Sequence, residues 1–151
     1  MRVSNKRDDK DRIRLGKCLS DNDMLGKGND LRVVFFNEYF IVCSDEKFDS
    51  MVKRVASKYG MEDEAREILE ARSTKYVTDN QGRFKVPEEY IEGAFLEKEF
   101  VGIGIRSHQN EKMNYVKVYP KTIYTKLAKD YTKKFEEILK GEGDEEGRRK
   151  N

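Results

Sequence analysis

The sequence predicts an α+β chain made of two tandem β-rich repeats with flanking amphipathic helices. Three observations carry this reading. A segment with Asp79, Arg83, Phe84, Lys85 and Val86 lines up, at one constant offset, with an earlier one holding Asp8, Arg12, Ile13, Arg14 and Leu15. Within both copies polar and apolar residues alternate with period two, the mark of a half-buried strand. After each copy's strands, apolar residues recur at helical spacing.

The first repeat spans residues 1–59 and is the more degenerate. Its opening strand runs from Arg12 to Leu15, and a short helical turn is expected around Met24 and Leu25. Two apolar strands, Leu31 to Phe36 and Phe40 to Cys43, flank Asn37-Glu38 as in a hairpin. Ser44 is placed as an N-cap, with Asp45 and Glu46 favourable in the first turn of a helix that turns Phe48, Met51, Val52, Val55 and Tyr59 to one side. Residues 60–72 form a linking helix, entered through Gly60, with Ala65, Ile68 and Leu69 inward.

The second repeat, with its helix, spans residues 73–140. Arg83 to Val86 is its opening strand and Phe95-Leu96 its helical turn. Phe100 to Ile105 and Val116 to Tyr119 correspond to the first hairpin, around a longer polar loop from Arg106 to Asn114 that holds His108. The last helix is expected from about Pro120, a residue suited to a first helical position, to Lys140. It lines up Ile123, Leu127, Tyr131, Phe135 and Ile138 on one face. Residues 141–151 lack apolar side chains and read as a disordered tail.

Composition narrows the function. Charged residues make up 40% of the chain and hydrophobic ones 36%, so the core is lean, although eight Phe and eight Tyr can fill it. No stretch approaches the roughly 18 apolar residues of a membrane span, and the expected location is the cytoplasm. Cys18 and Cys43 fit neither a disulfide scaffold nor a zinc site. The net charge of +2 hides a segregated pattern. Residues 1–17 hold seven basic and three acidic side chains, and residues 72–85 hold four and one. Residues 45–71 and 86–102 are net acidic. If the repeats meet about a pseudo-twofold axis, their basic openings merge into one face of the kind that attracts a phosphate backbone.

The motif Asp79-x-x-Gly82-Arg83-Phe84-x-Val86-Pro87, its weaker copy beginning at Asp8, and Leu96-Glu97-Lys98-Glu99-Phe100-Val101-Gly102-Ile103-Gly104 resemble the MraZ family of bacterial transcriptional repressors, within the AbrB-like swapped-hairpin superfamily. The likeness covers about residues 3 to 131 and is stronger in the second half. It implies two AbrB-type repeats with interleaved hairpins, and a homo-oligomer, ring-shaped in the family, whose DxxxR turns contact repeated boxes of double-stranded DNA. By the same resemblance Asp79 and Arg83, and Asp8 and Arg12, are the turn residues concerned. Asp11 stands where the family has glycine and Gly16 where it has proline, so the first turn carries an added negative charge beside Arg12.

The residue types suit that chemistry. An arginine at a turn can fork its guanidinium onto a phosphate or onto guanine O6 and N7, which makes Arg83, and after it Arg12, the expected DNA contacts. Gly82 lets the turn pass without a Cβ, while Asp79 and Asp8 accept hydrogen bonds from their own turns' amides and shape them. Lys85, Arg14, Lys10 and Lys75 are expected to touch phosphates and add affinity without sequence information.

Other groups read more plainly. Neither Asp8, Asp9 and Asp11 nor Asp21-Asn22-Asp23 has the spacing of a calcium loop, and no metal or other cofactor is expected. His108 lacks the Ser, Cys or carboxylate arrangement of a general base, so no catalytic site, small-molecule substrate or membrane partner is expected. Tyr124, Tyr131 and Phe135 fit a core or a subunit interface better than a base-stacking platform. The expectation is thus a nucleoid-associated DNA-binding regulator; the alternative is an oligomeric scaffold of the same fold that has lost DNA recognition.

Overall fold

The computed structural model describes residues 2–15, 30–79, 81–88, 91, 97–105 and 115–149. The expected helical turns at Met24-Leu25 and Phe95-Leu96, the loop with His108, Gly16, Cys18 and Asp21-Asn22-Asp23 lie outside these residues. The chain forms two compact units, residues 1–120 and 121–151.

The first unit is α+β. In chain order it holds β1 (Arg2–Lys6), β2 (Arg12–Arg14), β3 (Asp30–Phe35), β4 (Phe40–Ser44), α1 (Asp45–Tyr59), α2 (Glu62–Ala71), β5 (Ser73–Val77), β6 (Arg83–Lys85), β7 (Glu99–Ile105) and β8 (Tyr115–Pro120). Six strands make one antiparallel sheet in the order β1-β7-β8-β4-β3-β5, and β2 and β6 make a separate two-stranded ribbon.

Both hairpins are present: β3 and β4 pair from Leu31–Ser44 to Phe35–Phe40, and β7 and β8 from Phe100–Pro120 to Ile105–Tyr115. The other pairings join the two halves of the chain. β1 lies along β7, β5 along β3, and β4 along β8. β1 and β5, which the sequence pattern did not single out as strands, occupy equivalent positions, each just ahead of its copy's DxxxR turn. Their mostly exposed, polar faces hide the alternation by which strands are recognised.

Burial explains why this order holds. Leu31, Val33, Val34, Phe40, Val42, Phe100, Val116 and Val118 from the sheet are buried with Phe48, Met51 and Val52 of α1 and with Ile13, Leu15, Phe84 and Val86 of the ribbon. Ile13 and Phe84 are direct cross-strand partners, both pointing inward. The Phe84 ring meets Phe40 edge-on at 6.5 Å and Tyr76 at 5.6 Å between centroids. Gly102 on β7 makes room for the ribbon, since a Cβ there would stand 3.0 Å from Cδ2 of Leu15.

α1 begins as the sequence dictates, with Ser44 Oγ accepting from the Lys47 amide at 3.2 Å. It ends at Gly60, left-handed at φ 70°, whose amide donates to Ala56 at 2.6 Å. Two inward assignments fail. Tyr59 is 72% and Ile68 59% exposed, and of the α2 side chains Leu69 alone is buried.

The second unit is one helix, α3 (Lys121–Arg149). Pro120 is the last residue of β8, opposite Phe100, and precedes the helix instead of opening it. The helix continues through residues 141–149, which composition assigned to a disordered tail. Apart from three glycines and Asp144 the residues there are Glu and Arg, which cost a helix little. Among the described residues no helix is long and apolar enough to cross a membrane.

Because Phe84 ties the ribbon to the sheet, Phe84→Ala should destabilise the first unit by about 3–5 kcal/mol, measured by denaturant unfolding. A loss within experimental error would show that the ribbon does not share the core.

Candidate nucleic-acid interface

The ribbon is closed at its two ends by turns of one design. Asp8 Oδ1 accepts from the amides of Lys10 and Arg12, each at 2.9 Å, and Asp79 Oδ1 accepts from the amides of Gln81 and Arg83 at the same distances. The Asp8 amide donates to the Arg12 carbonyl at 3.0 Å, and the Asp79 amide to that of Arg83 at 2.9 Å. The Asp11 amide bonds back to the Asp8 carbonyl and the Gly82 amide to the Asp79 carbonyl, both at 3.0 Å. Asp11 at φ 59° and Gly82 at φ 73° take the left-handed conformation that closes each turn.

The remaining carboxylate oxygens hold the arginines. Arg12 Nε donates to Asp8 Oδ2, and Arg83 Nε to Asp79 Oδ2, each at 2.8 Å. Each guanidinium also reaches across to the other turn. Arg12 Nη1 stands 3.9 Å from Asp79 Oδ2, and Arg83 Nη1 stands 3.7 Å from Asp8 Oδ2. Two arginines and two aspartates from equivalent places in the two copies thus form a single cluster. Both arginines keep their Nη nitrogens free of hydrogen bonds within the described residues, at side-chain exposures of 28% and 25%.

Ribbon register sets the other cations. Arg12 faces Lys85 and Arg14 faces Arg83 across the strands, while Ile13 and Phe84 occupy the opposite, buried face. Directly opposed side chains in an antiparallel pair have Cβ atoms about 5 Å apart, where like charges repel. Arg14 and Lys85 are exposed and have no carboxylate partner among the described residues. The exposed Lys10 side chain on the first turn is likewise without one. The solvent face of the ribbon therefore carries four cations against the two aspartates.

Lys75 does not join this face. It lies on β5 opposite Arg32, and its Nζ is 3.1 Å from Asp45 Oδ2. Arg32 binds the same carboxylate at 2.8 Å, donates to Ser73 Oγ at 3.0 Å and lies over the Phe48 ring. Lys75 thus helps join β3, β5 and α1, because its ammonium pairs with the Asp45 carboxylate. Position in a basic stretch of sequence did not reveal that partner.

Sequence reading also missed Arg7. Its side chain is 4% exposed, and its Nη1 donates to Asp11 Oδ1 at 3.3 Å. The added carboxylate of the first turn is thereby paired with a buried cation instead of standing alone beside Arg12. Thr78, also buried, holds the equivalent position in the second copy, next to a turn closed by Gly82. An Arg–Asp pair in one copy against Thr–Gly in the other is the signal that could have found it.

The clustered carboxylates are held ionised. Amide hydrogen bonds from Arg12 and Lys10, with the Arg12 guanidinium, lower the Asp8 pKa, and those of Arg83 and Gln81 lower that of Asp79. Burial instead pushes the Cys43 thiol up to about 12, which makes it a packing group. No set of three His, Cys, Asp or Glu side chains among the described residues is arranged to hold a metal ion.

Lowered carboxylate pKa values mean stability that is present above the unfolded value of about 4 and lost as pH falls through the folded one. Asp79→Asn should therefore lower the melting temperature at neutral pH and flatten its decline below about pH 4; an unchanged acid limb would remove Asp79 from that role. No protein family model matches the chain, and no curated protein matches it.

Proposed function

We propose that this protein is a sequence-specific double-stranded DNA-binding transcriptional regulator that acts as an oligomer, as its resemblance to the MraZ family implies. The ribbon of β2 and β6 is its DNA-reading surface. The observation that carries the reading is the cation-bearing outer face of that ribbon, with Arg12, Arg14, Arg83 and Lys85 in two cross-strand pairs. Like charges placed opposite one another cost stability. An anionic ligand converts that repulsion into affinity, and a two-stranded ribbon fits the major groove.

In this reading the fold is a pair of swapped-hairpin repeats. The exchange of β1 onto β7 and of β5 onto β3, with like positions Ile13 and Phe84 facing each other, supports it. Asp8 and Asp79 shape the turns, and the Nη nitrogens of Arg12 and Arg83, which make no hydrogen bond among the described residues, point to base or phosphate recognition. Arg14, Lys85 and Lys10 contribute phosphate contacts. A location in the cytoplasm, on the nucleoid, follows from the same proposal. A scaffold without DNA recognition fits less well, because it leaves the unpaired Arg14 and Lys85 on the ribbon without a role.

Gel-shift titration on the DNA upstream of the protein's own coding sequence tests the proposal. Arg83→Ala should abolish specific binding, but it also removes a bond that shapes the turn. Arg14→Gln and Lys85→Gln give the cleaner measurement, since neither side chain holds the fold together. Each should weaken binding and reduce the salt dependence by roughly one phosphate contact. Wild-type binding no stronger than to unrelated DNA, or equal binding by both Gln variants, would refute the assignment.

A further inference from the structure

A cavity of about 340 Å³ lies in the first unit between α1 and the strands β4 and β8. That volume falls within the range of small-molecule sites. Ile41 and Met51, both buried, form its floor, and the half-buried Phe36, Tyr39 and Tyr115 supply aromatic walls. The cavity is on the far face of the sheet from the ribbon. Phe40 turns its ring toward Phe84, and Ile41, the next residue along β4, points the other way.

Three cations border this apolar space, Arg54 and Lys58 on the last two turns of α1 and Lys117 on β8, and no carboxylate does among the described residues. None of the three forms an ion pair within those residues. Lys58 also suits the end of its helix, where a cation meets the helix dipole. Lys117 has no such reason to be there. It stands directly opposite Ile41 in the sheet, so its stem lies on the face that buries Ile41, and its Nζ is 5.2 Å from the centre of the Tyr39 ring. Burial raises the Tyr39 pKa, so that hydroxyl keeps its proton and brings no negative charge to the cavity.

We propose that this cavity binds a small aromatic carboxylate, its ring among Phe36, Tyr39 and Tyr115 and its charge met by Lys117 and Arg54. A flat ring makes offset or edge contacts with the aromatic walls. The carboxylate supplies the partner that the cations lack, in a setting where charge-assisted hydrogen bonds are strong. An aliphatic acid of similar size satisfies the cations but not the walls. The site stands apart from the ribbon and does not depend on DNA binding, so either proposal can fail without the other.

Naphthalene-2-carboxylate serves as the probe. Titrated into the isotope-labelled full chain, it should shift the amide resonances of Ile41, Val55 and Lys117 and saturate at one ligand per chain, with a Kd of roughly 0.1–1 mM. Naphthalene-2-carboxamide, its neutral counterpart, and octanoate should each bind roughly tenfold more weakly. Lys117→Met keeps an apolar stem and should remove most of the preference for the acid over the amide. Arg54→Gln, at an exposed position, should reduce that preference less, and thermal unfolding checks that each variant is folded. The proposal is overturned by the absence of saturable shifts at those amides, by acid binding no tighter than the amide or octanoate, or by a preference that survives in both variants. Shifts produced by a hexaglutamate peptide and not by the naphthoate would overturn it too, marking the face as a protein contact instead.

Discussion

The ribbon exists because two carboxylates, Asp8 and Asp79, each satisfy two backbone amides and one guanidinium at the same time. Without them β2 and β6, three residues each, would bring four cations into opposition with too few ladder hydrogen bonds to hold them. Each aspartate also lies within reach of the guanidinium of the other turn, so the two ends of the ribbon are electrostatically one object. Surface ion pairs taken singly contribute little, but a cluster anchored by amide hydrogen bonds and set over a buried Ile13–Phe84 pair is held in place from both sides.

The two turns reach one geometry by different chemistry. Gly82 takes a positive φ without steric cost and adds no charge to its turn. Asp11 takes it at some cost, and its carboxylate then stands beside Arg12. Arg7 resolves the second difficulty by bonding its guanidinium to that carboxylate, at the expense of a buried Nε with no hydrogen-bond partner among the described residues. The first turn is therefore the more costly of the two, which matches its weaker likeness to the motif of the second.

The sequence was most legible where one local rule decides the outcome. Period-two alternation located the ribbon strands, apolar runs flanking polar loops located both hairpins, and Ser44 with Gly60 bounded α1. The DxxxR spacing located both turns, because an aspartate one turn's length before the arginine reaches the amides between them. It failed where the deciding partner is distant. β1 and β5 are strands because β7 and β3 offer free edges, not because their own residues alternate. Lys75 belongs to Asp45, two helices earlier in the chain, and no local pattern connects them. The apolar face of α3 was visible as periodicity, but Tyr131, Phe135 and Ile138 stay in solvent within this chain.

That contrast separates two kinds of exposure. On α3 the exposed groups are apolar, and only burial against another apolar surface would relieve them. On the ribbon the unmet groups are cations of one sign, and a second copy of the same face would only add repulsion. Self-association cannot relieve the ribbon; an extended polyanion can, and its regularly spaced phosphates suit cations held at fixed cross-strand spacing.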